Sequence, residues 1–164
     1  MTKPYGAKRR LSYYPPMPTI WDPAVRQSMQ DRADRLTVDS RAQWGKLTAP
    51  GMLAHLNDSF RMVTGELAVK PKHLPIRYPP LRQLVVYILP FPKSAPTAPE
   101  LLARVSAAEL GPEQKDFHAW MERLGHITSG SQLVPHPAFG NLSYRAYGVL
   151  IARHADHHLK QFGV

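Results

Sequence analysis

A chain of 164 residues that is 43% hydrophobic is long enough to bury one core, and its lack of cysteine excludes disulfides, thiolate metal sites, iron–sulfur clusters and a cysteine nucleophile. Its longest apolar run, Leu84 to Phe91, contains Pro90 and is far too short to span a bilayer. The formal charge of +9 resolves into two acid-free segments, +4 from Lys3, Lys8, Arg9 and Arg10 and +5 from Lys70, Lys72, Arg77, Arg82 and Lys93, and basic charge spread along proline-rich stretches argues against nucleic-acid binding.

Residues 1–21 read as an N-terminal arm with Pro15, Pro16 and Pro18, ahead of a single domain over 22–164. The arm is basic but lacks the apolar stretch of a secretory leader, so a cytoplasmic location is expected. Asp22-Pro23 supplies an N-cap and a proline at the first helical position. Val25, Met29, Ala33 and Leu36 follow at helical spacing, which predicts a first helix over 23–36. Thr48 caps a second helix whose stripe is Met52, Leu53, Leu56, Phe60, Val63 and Leu67, with Gly65 a weak point in its last turn. Residues 68–96 hold seven of the 17 prolines and allow only a short element, over Leu81–Leu89. Thr97 and Glu100 form a capping-box pair that predicts a helix start, broken near Gly111-Pro112. Phe117, Trp120, Met121, Leu124 and Ile127 then define a third main helix over 113–127. A loop, 128–141, carries His136-Pro137-Ala138-Phe139-Gly140. Ser143 caps the fourth helix, with Tyr147, Leu150 and Ile151 facing inward. Four amphipathic helices with little strand signal predict an all-α four-helix bundle.

The fourth helix contains His154-Ala155-Asp156-His157-His158. His154 and His158 extend the inward stripe, one turn apart on one face, and can reach a single ion. His157 points about 100° away from His158. A catalytic zinc-type site keeps three protein ligands and one open position. The third ligand can come from His55, His73, His118, His126, His136 or a carboxylate. His55, mid-helix beside the second helix's apolar stripe, fits best. If the second and fourth helices are antiparallel neighbours, His55 falls level with the pair. That requires an up-down-down-up order, with the Pro-rich crossover 68–96 spanning the bundle between the second and third helices.

The chain resembles the DinB/YfiT-like superfamily of bacterial four-helix metalloproteins. The resemblance lies in Leu47-Thr48-Ala49-Pro50 through His55-Leu56-Asn57-Asp58-Ser59, in Pro96-Thr97-Ala98-Pro99-Glu100-Leu101, and in His136–Gly140 with His154 through Gly163. It is to an uncharacterised branch of that superfamily, and it covers nearly the whole chain after the arm. The resemblance implies an up-down-down-up bundle, metal ligands at His55, His154 and His158, and activity as a metal-dependent transferase of a low-molecular-weight thiol or as a hydrolase, on a small-molecule substrate.

Three neutral imidazoles leave a divalent ion its full charge, enough to activate a bound water or thiol; zinc, nickel, manganese and iron all suit such a site. Asp58 is a candidate base or orienting group, and Gln161 a hydrogen-bonding neighbour. His136 is a candidate for the pocket mouth. Arg77 and Arg82 are candidates for receiving an anionic substrate. The competing expectation is a non-catalytic helical binding protein with a structural or vestigial metal site. An apolar stripe on the first helix is compatible with a homodimer.

Overall fold

The computed structural model describes residues 17–93 and 96–164, and among these every regular element is helical. Four long helices carry the core: α1 (Pro23–Ala33), α2 (Ala49–Thr64), α4 (Leu110–Gly125) and α5 (Tyr144–Gln161). Between α2 and α4 lie a short helix α3 (Leu81–Gln83), which runs directly into a π-helical turn (Leu84–Ile88), and isolated 3₁₀ turns at Pro75–Arg77, Pro99–Leu102 and Val105–Ala107.

The caps follow the side chains. Asp22 accepts from the Ala24 amide at 2.9 Å, Thr48 from Gly51 at 3.2 Å, and Ser143 from Ala146 at 3.2 Å. α1 stops at Ala33 and not at 36, although Leu36 is still buried beyond the helix end. α2 stops at Thr64, three residues earlier than its apolar stripe suggests. Gly65 takes φ +84 there and closes the helix with a left-handed cap. The Thr97–Glu100 box caps nothing: Glu100 accepts from the Lys70 amide, and only a 3₁₀ turn forms. Gly111 and Pro112 are not a break. They sit in the first turn of α4, where a proline's missing N–H is no loss.

Contacts give the directions of the long helices. At the start of α1, Trp21 stacks on Tyr144 with ring centroids 4.7 Å apart. At its end, Arg32 bonds Asp156 at 2.9 Å and the Val164 carbonyl at 2.8 Å. α1 and α5 are therefore parallel. Gln114, near the start of α4, donates to the Ala33 carbonyl at the end of α1, so these two are antiparallel. Asn57 with Glu113, Arg61 with Asp116 and Glu66 with Arg123 climb α2 and α4 together. Val134 joins the Val63 carbonyl of α2 to the Tyr147 hydroxyl of α5, which makes those two antiparallel. In chain order the directions are up, down, down, up.

α2 is the most enclosed element, with only Pro50, Arg61 and Thr64 of its sixteen residues outside the buried class. Its apolar side chains join Phe117, Trp120, Met121, Leu124, Tyr147 and Ile151 in the main core. A smaller cluster of Val86, Phe139, Ala146, Val149 and Leu150 fastens the crossover and the 136–140 turn to α5. Most of the expected arm, 1–21, lies outside the described residues. Of its end, Ile20 is fully buried and its amide bonds the Gly148 carbonyl at 3.0 Å. A Cβ at Gly148 would lie 2.2 Å from the Trp21 ring nitrogen, so glycine is what lets this segment lie against α5.

Candidate metal centre

α2 and α5 bring His55, His154 and His158 together, each offering a ligand nitrogen within 4.8 Å of the others. Nε2 of His55 and Nε2 of His154 are 3.2 Å apart. Two nitrogens bound to one tetrahedral ion at about 2.0–2.1 Å are separated by about 3.3 Å, so this spacing fits. His158 completes the triangle, its ring centroid 4.9 Å from that of His55 and 4.8 Å from that of His154.

The proton positions follow from the partners. His55 Nδ1 faces the Leu101 carbonyl at 3.2 Å. A carbonyl only accepts, so Nδ1 carries the proton and Nε2 presents its lone pair to the cluster. Gln161 does the same for His158. Its Nε2 donates to the Trp44 carbonyl at 2.6 Å, which turns its Oε1 toward His158 Nδ1 at 2.9 Å. His158 Nδ1 is thus the donor, and its Nε2 is free for a ligand bond. Acceptors behind ligand histidines are what orient imidazoles at metal sites.

All three imidazoles are held neutral. Burial lowers His55 from the ordinary histidine range, against a rise from the Leu101 hydrogen bond. Burial, followed by the neighbouring histidines, holds His154 well below that range. Burial, then His55, brings His158 down to about 4. Neutral imidazole is the form that binds metal.

A family model described as a protein of unknown function, DUF1569, matches residues 29–163, a span that includes all three histidines and the elements that position them. The chain belongs to the DUF1569 family. No curated protein and no solved structure matches it.

Around the triad, the DUF1569 chain places the other candidates unevenly. Gln161 is a direct neighbour, as described. Asp58 is not: its carboxylate, 4% exposed, pairs with Arg104 at 3.0 Å and Arg61 at 3.1 Å on the side of α2 facing α4. Arg104 also holds Glu113, and Glu113 accepts from Asn57. This network anchors the 99–107 segment, and that segment carries the Leu101 carbonyl behind His55. Asp58 acts on the site through that anchor and through its charge, which partly offsets the effect of burial on His55.

His136 lies near enough to His154 to disfavour a charge there. Its own Nδ1 accepts from the amides of Ala138 and Phe139 at 3.1 and 3.3 Å, which puts its proton on Nε2. Burial, then Arg77, pushes it down to about 4. Arg77 and Arg82 point their guanidinium groups at backbone. Arg77 donates to the Pro137 carbonyl and Arg82 to that of Asn141, each at 3.0 Å. Both tie the crossover to the loop before α5.

Of the histidines outside the cluster, His118 pairs with Asp34 at 2.7 Å near the end of α1, and His73 and His126 are exposed. His157 turns from the triad toward Trp44 and Phe91, with ring centroids at 5.7 and 6.0 Å. Phe91 also meets His154 edge-on at 6.4 Å, so the crossover forms one wall of the site. Leu101, Trp44 and Phe91 have no motif. Two of them act through backbone carbonyls, which any residue could supply, and only the family resemblance over residues 96–101 points to the first.

Proposed function

We propose that this DUF1569 protein is a DinB/YfiT-like metalloprotein that binds one divalent ion through Nε2 of His55, His154 and His158 and acts as a metal-dependent transferase of a low-molecular-weight thiol to a small electrophile. The observation that carries the proposal is the orientation of the triad: Nδ1 of His55 and of His158 are each committed to an oxygen acceptor, and the lone pairs that remain converge. An ion held by three neutral nitrogens keeps its full charge and an open face, and supplies the acidification of a bound thiol or water.

The chain's own groups then divide the work. The Leu101 carbonyl and Gln161 fix the ligand tautomers. Phe91 covers His154 and reduces water access from the crossover side. His136, with its proton on Nε2, is a hydrogen-bond donor at the flank of the site. A hydrolase is the second reading; a general base would help it, and the carboxylate suited to that role by sequence, Asp58, is held by two arginines. The ion would acidify a bound water as it would a thiol, so hydrolysis stays the second reading and lacks only the help that a free Asp58 would give.

Elemental analysis of untagged protein tests the site. About one equivalent of zinc, nickel, manganese or iron should survive dialysis and be lost in His154→Ala. A wild-type protein that retains no ion after reconstitution would refute the proposal. The metal-loaded protein is then screened with thiol and electrophile pairs; tight metal with no turnover moves the protein to the non-catalytic alternative.

A further inference from the structure

The crossover carries a second feature, independent of the metal reading. Over the two turns from Leu81 to Ile88, Leu81 is 44% exposed, Leu84 36% and Ile88 70%. They are exposed apolar side chains of α3 and the π-helical turn that continues it. Val86, within the π-helical turn, is the buried one, packed against α5. The segment thus carries apolar residues on its outer face as well as its inner one. Tyr78, 62% exposed, and Leu89, 42%, lie at its two ends.

The segment is also tied by hydrogen bonds to α5 and to the loop before it. Arg153 donates to the carbonyls of Val85, Val86 and Leu89 and closes the helix's C-terminal end. Arg82 fastens the first turn to Asn141. A pre-ordered element loses little conformational entropy on docking. Around it, Lys70, Lys72, Arg77, Arg82 and Lys93 contribute +5 with no acidic residue between Glu66 and Glu100.

We infer that this face docks on an anionic lipid surface. Exposed leucine, isoleucine and tyrosine in a stretch whose only charged residues are cations match the interfacial pattern, in which apolar side chains enter the headgroup boundary; the exposed Lys70 and Lys93 meet lipid phosphates, and Arg77 and Arg82, tied to backbone carbonyls, add longer-range positive charge. A second copy of the chain is a poor occupant, because a two-fold contact here would bring two acid-free +5 segments together. Nucleic acid would satisfy the cations but leave the apolar centre against phosphate. No described helix is long and apolar enough to cross a membrane, so the contact is peripheral.

Cosedimentation of the full chain with vesicles tests this. Wild type should bind phosphatidylcholine/phosphatidylglycerol vesicles mixed at about two to one, release with added salt, and ignore phosphatidylcholine alone. The double variant Leu81→Ser, Ile88→Ser leaves the charge unchanged and removes two outward side chains, so it should stay folded by circular dichroism and bind about tenfold more weakly. The chain has no cysteine, so Ile88→Cys gives a single position for an environment-sensitive fluorophore. Its emission should shift to the blue on the anionic vesicles, whereas the same label at Val38→Cys, 74% exposed in the loop after α1, should not respond. Full binding by the double-serine variant would overturn the inference, because charge alone would then suffice. So would absence of wild-type binding, or a wild-type dimer that these serines convert to monomer.

Discussion

At the scale of single residues, the triad histidines were legible because two of them share a helix face four residues apart, and spacing alone tells a helix which side chains can meet. Gln161 was visible only as a polar residue near the chain end. What it does depends on Trp44, 117 positions away in sequence. Gln161→Leu removes both the acceptor for His158 Nδ1 and the donor to Trp44, and should weaken zinc binding by about ten- to a hundredfold in chelator competition. Unchanged affinity would mean that His158 needs no orienting partner. The histidines also set an acid limit. His136 and His158 hold folded values of about 4 against an ordinary value of 6.5. Below that ordinary value the unfolded chain takes up protons that the folded, metal-free chain refuses. Stability is therefore complete above pH 6.5 and drains away as the pH falls toward 4. Urea midpoints measured in EDTA across that range should fall steadily, and His136→Gln should flatten the slope. A midpoint independent of pH would contradict the burial of these rings.

At the scale of elements, the long helices followed from apolar periodicity and caps, and their ends were misjudged wherever backbone geometry overrode the pattern. Leu67 continues the stripe of α2, yet Gly65 ends the helix first. The 97–107 segment was misread for a different reason. A capping box is only an offer of hydrogen bonds, and here Glu100 is taken by Lys70 and Arg104 is drawn to two acidic side chains from different helices. Asp58 and Glu113 are 4% and 6% exposed, and Arg104 is the side chain that pairs with both. Arg104→Met should cost about 2–3 kcal/mol, somewhat under the loss for a wholly buried partner because Arg104 itself is 38% exposed. Since the same segment presents the Leu101 carbonyl, the variant should also bind metal more weakly. Chemical denaturation and a metal titration on one preparation check both. A stability loss with intact affinity would detach the ion-pair network from His55.

At the scale of the whole molecule, the crossover determines what the sequence permits. Four helices joined by short loops would run alternately and leave α2 parallel to α5, with His55 out of step with the other two histidines. The long proline-rich connection lets α4 run beside α2 in the same direction, and so brings α2 and α5 into opposite directions with the three imidazoles level. The three histidines therefore join two helices far apart in sequence, His55 and His154 being 99 positions apart. An ion there is a crosslink that exists only in the folded state, and mass action turns its affinity into stability. At about a hundred times the dissociation constant it should add about 2.7 kcal/mol. For a chain of this size that corresponds to a rise in Tm of roughly 5–11 °C, reversed by EDTA. His154→Ala should melt at one temperature with or without metal. If instead the variant gains as much from the ion as the wild type, binding is elsewhere, and the convergence of α2 and α5 serves packing alone.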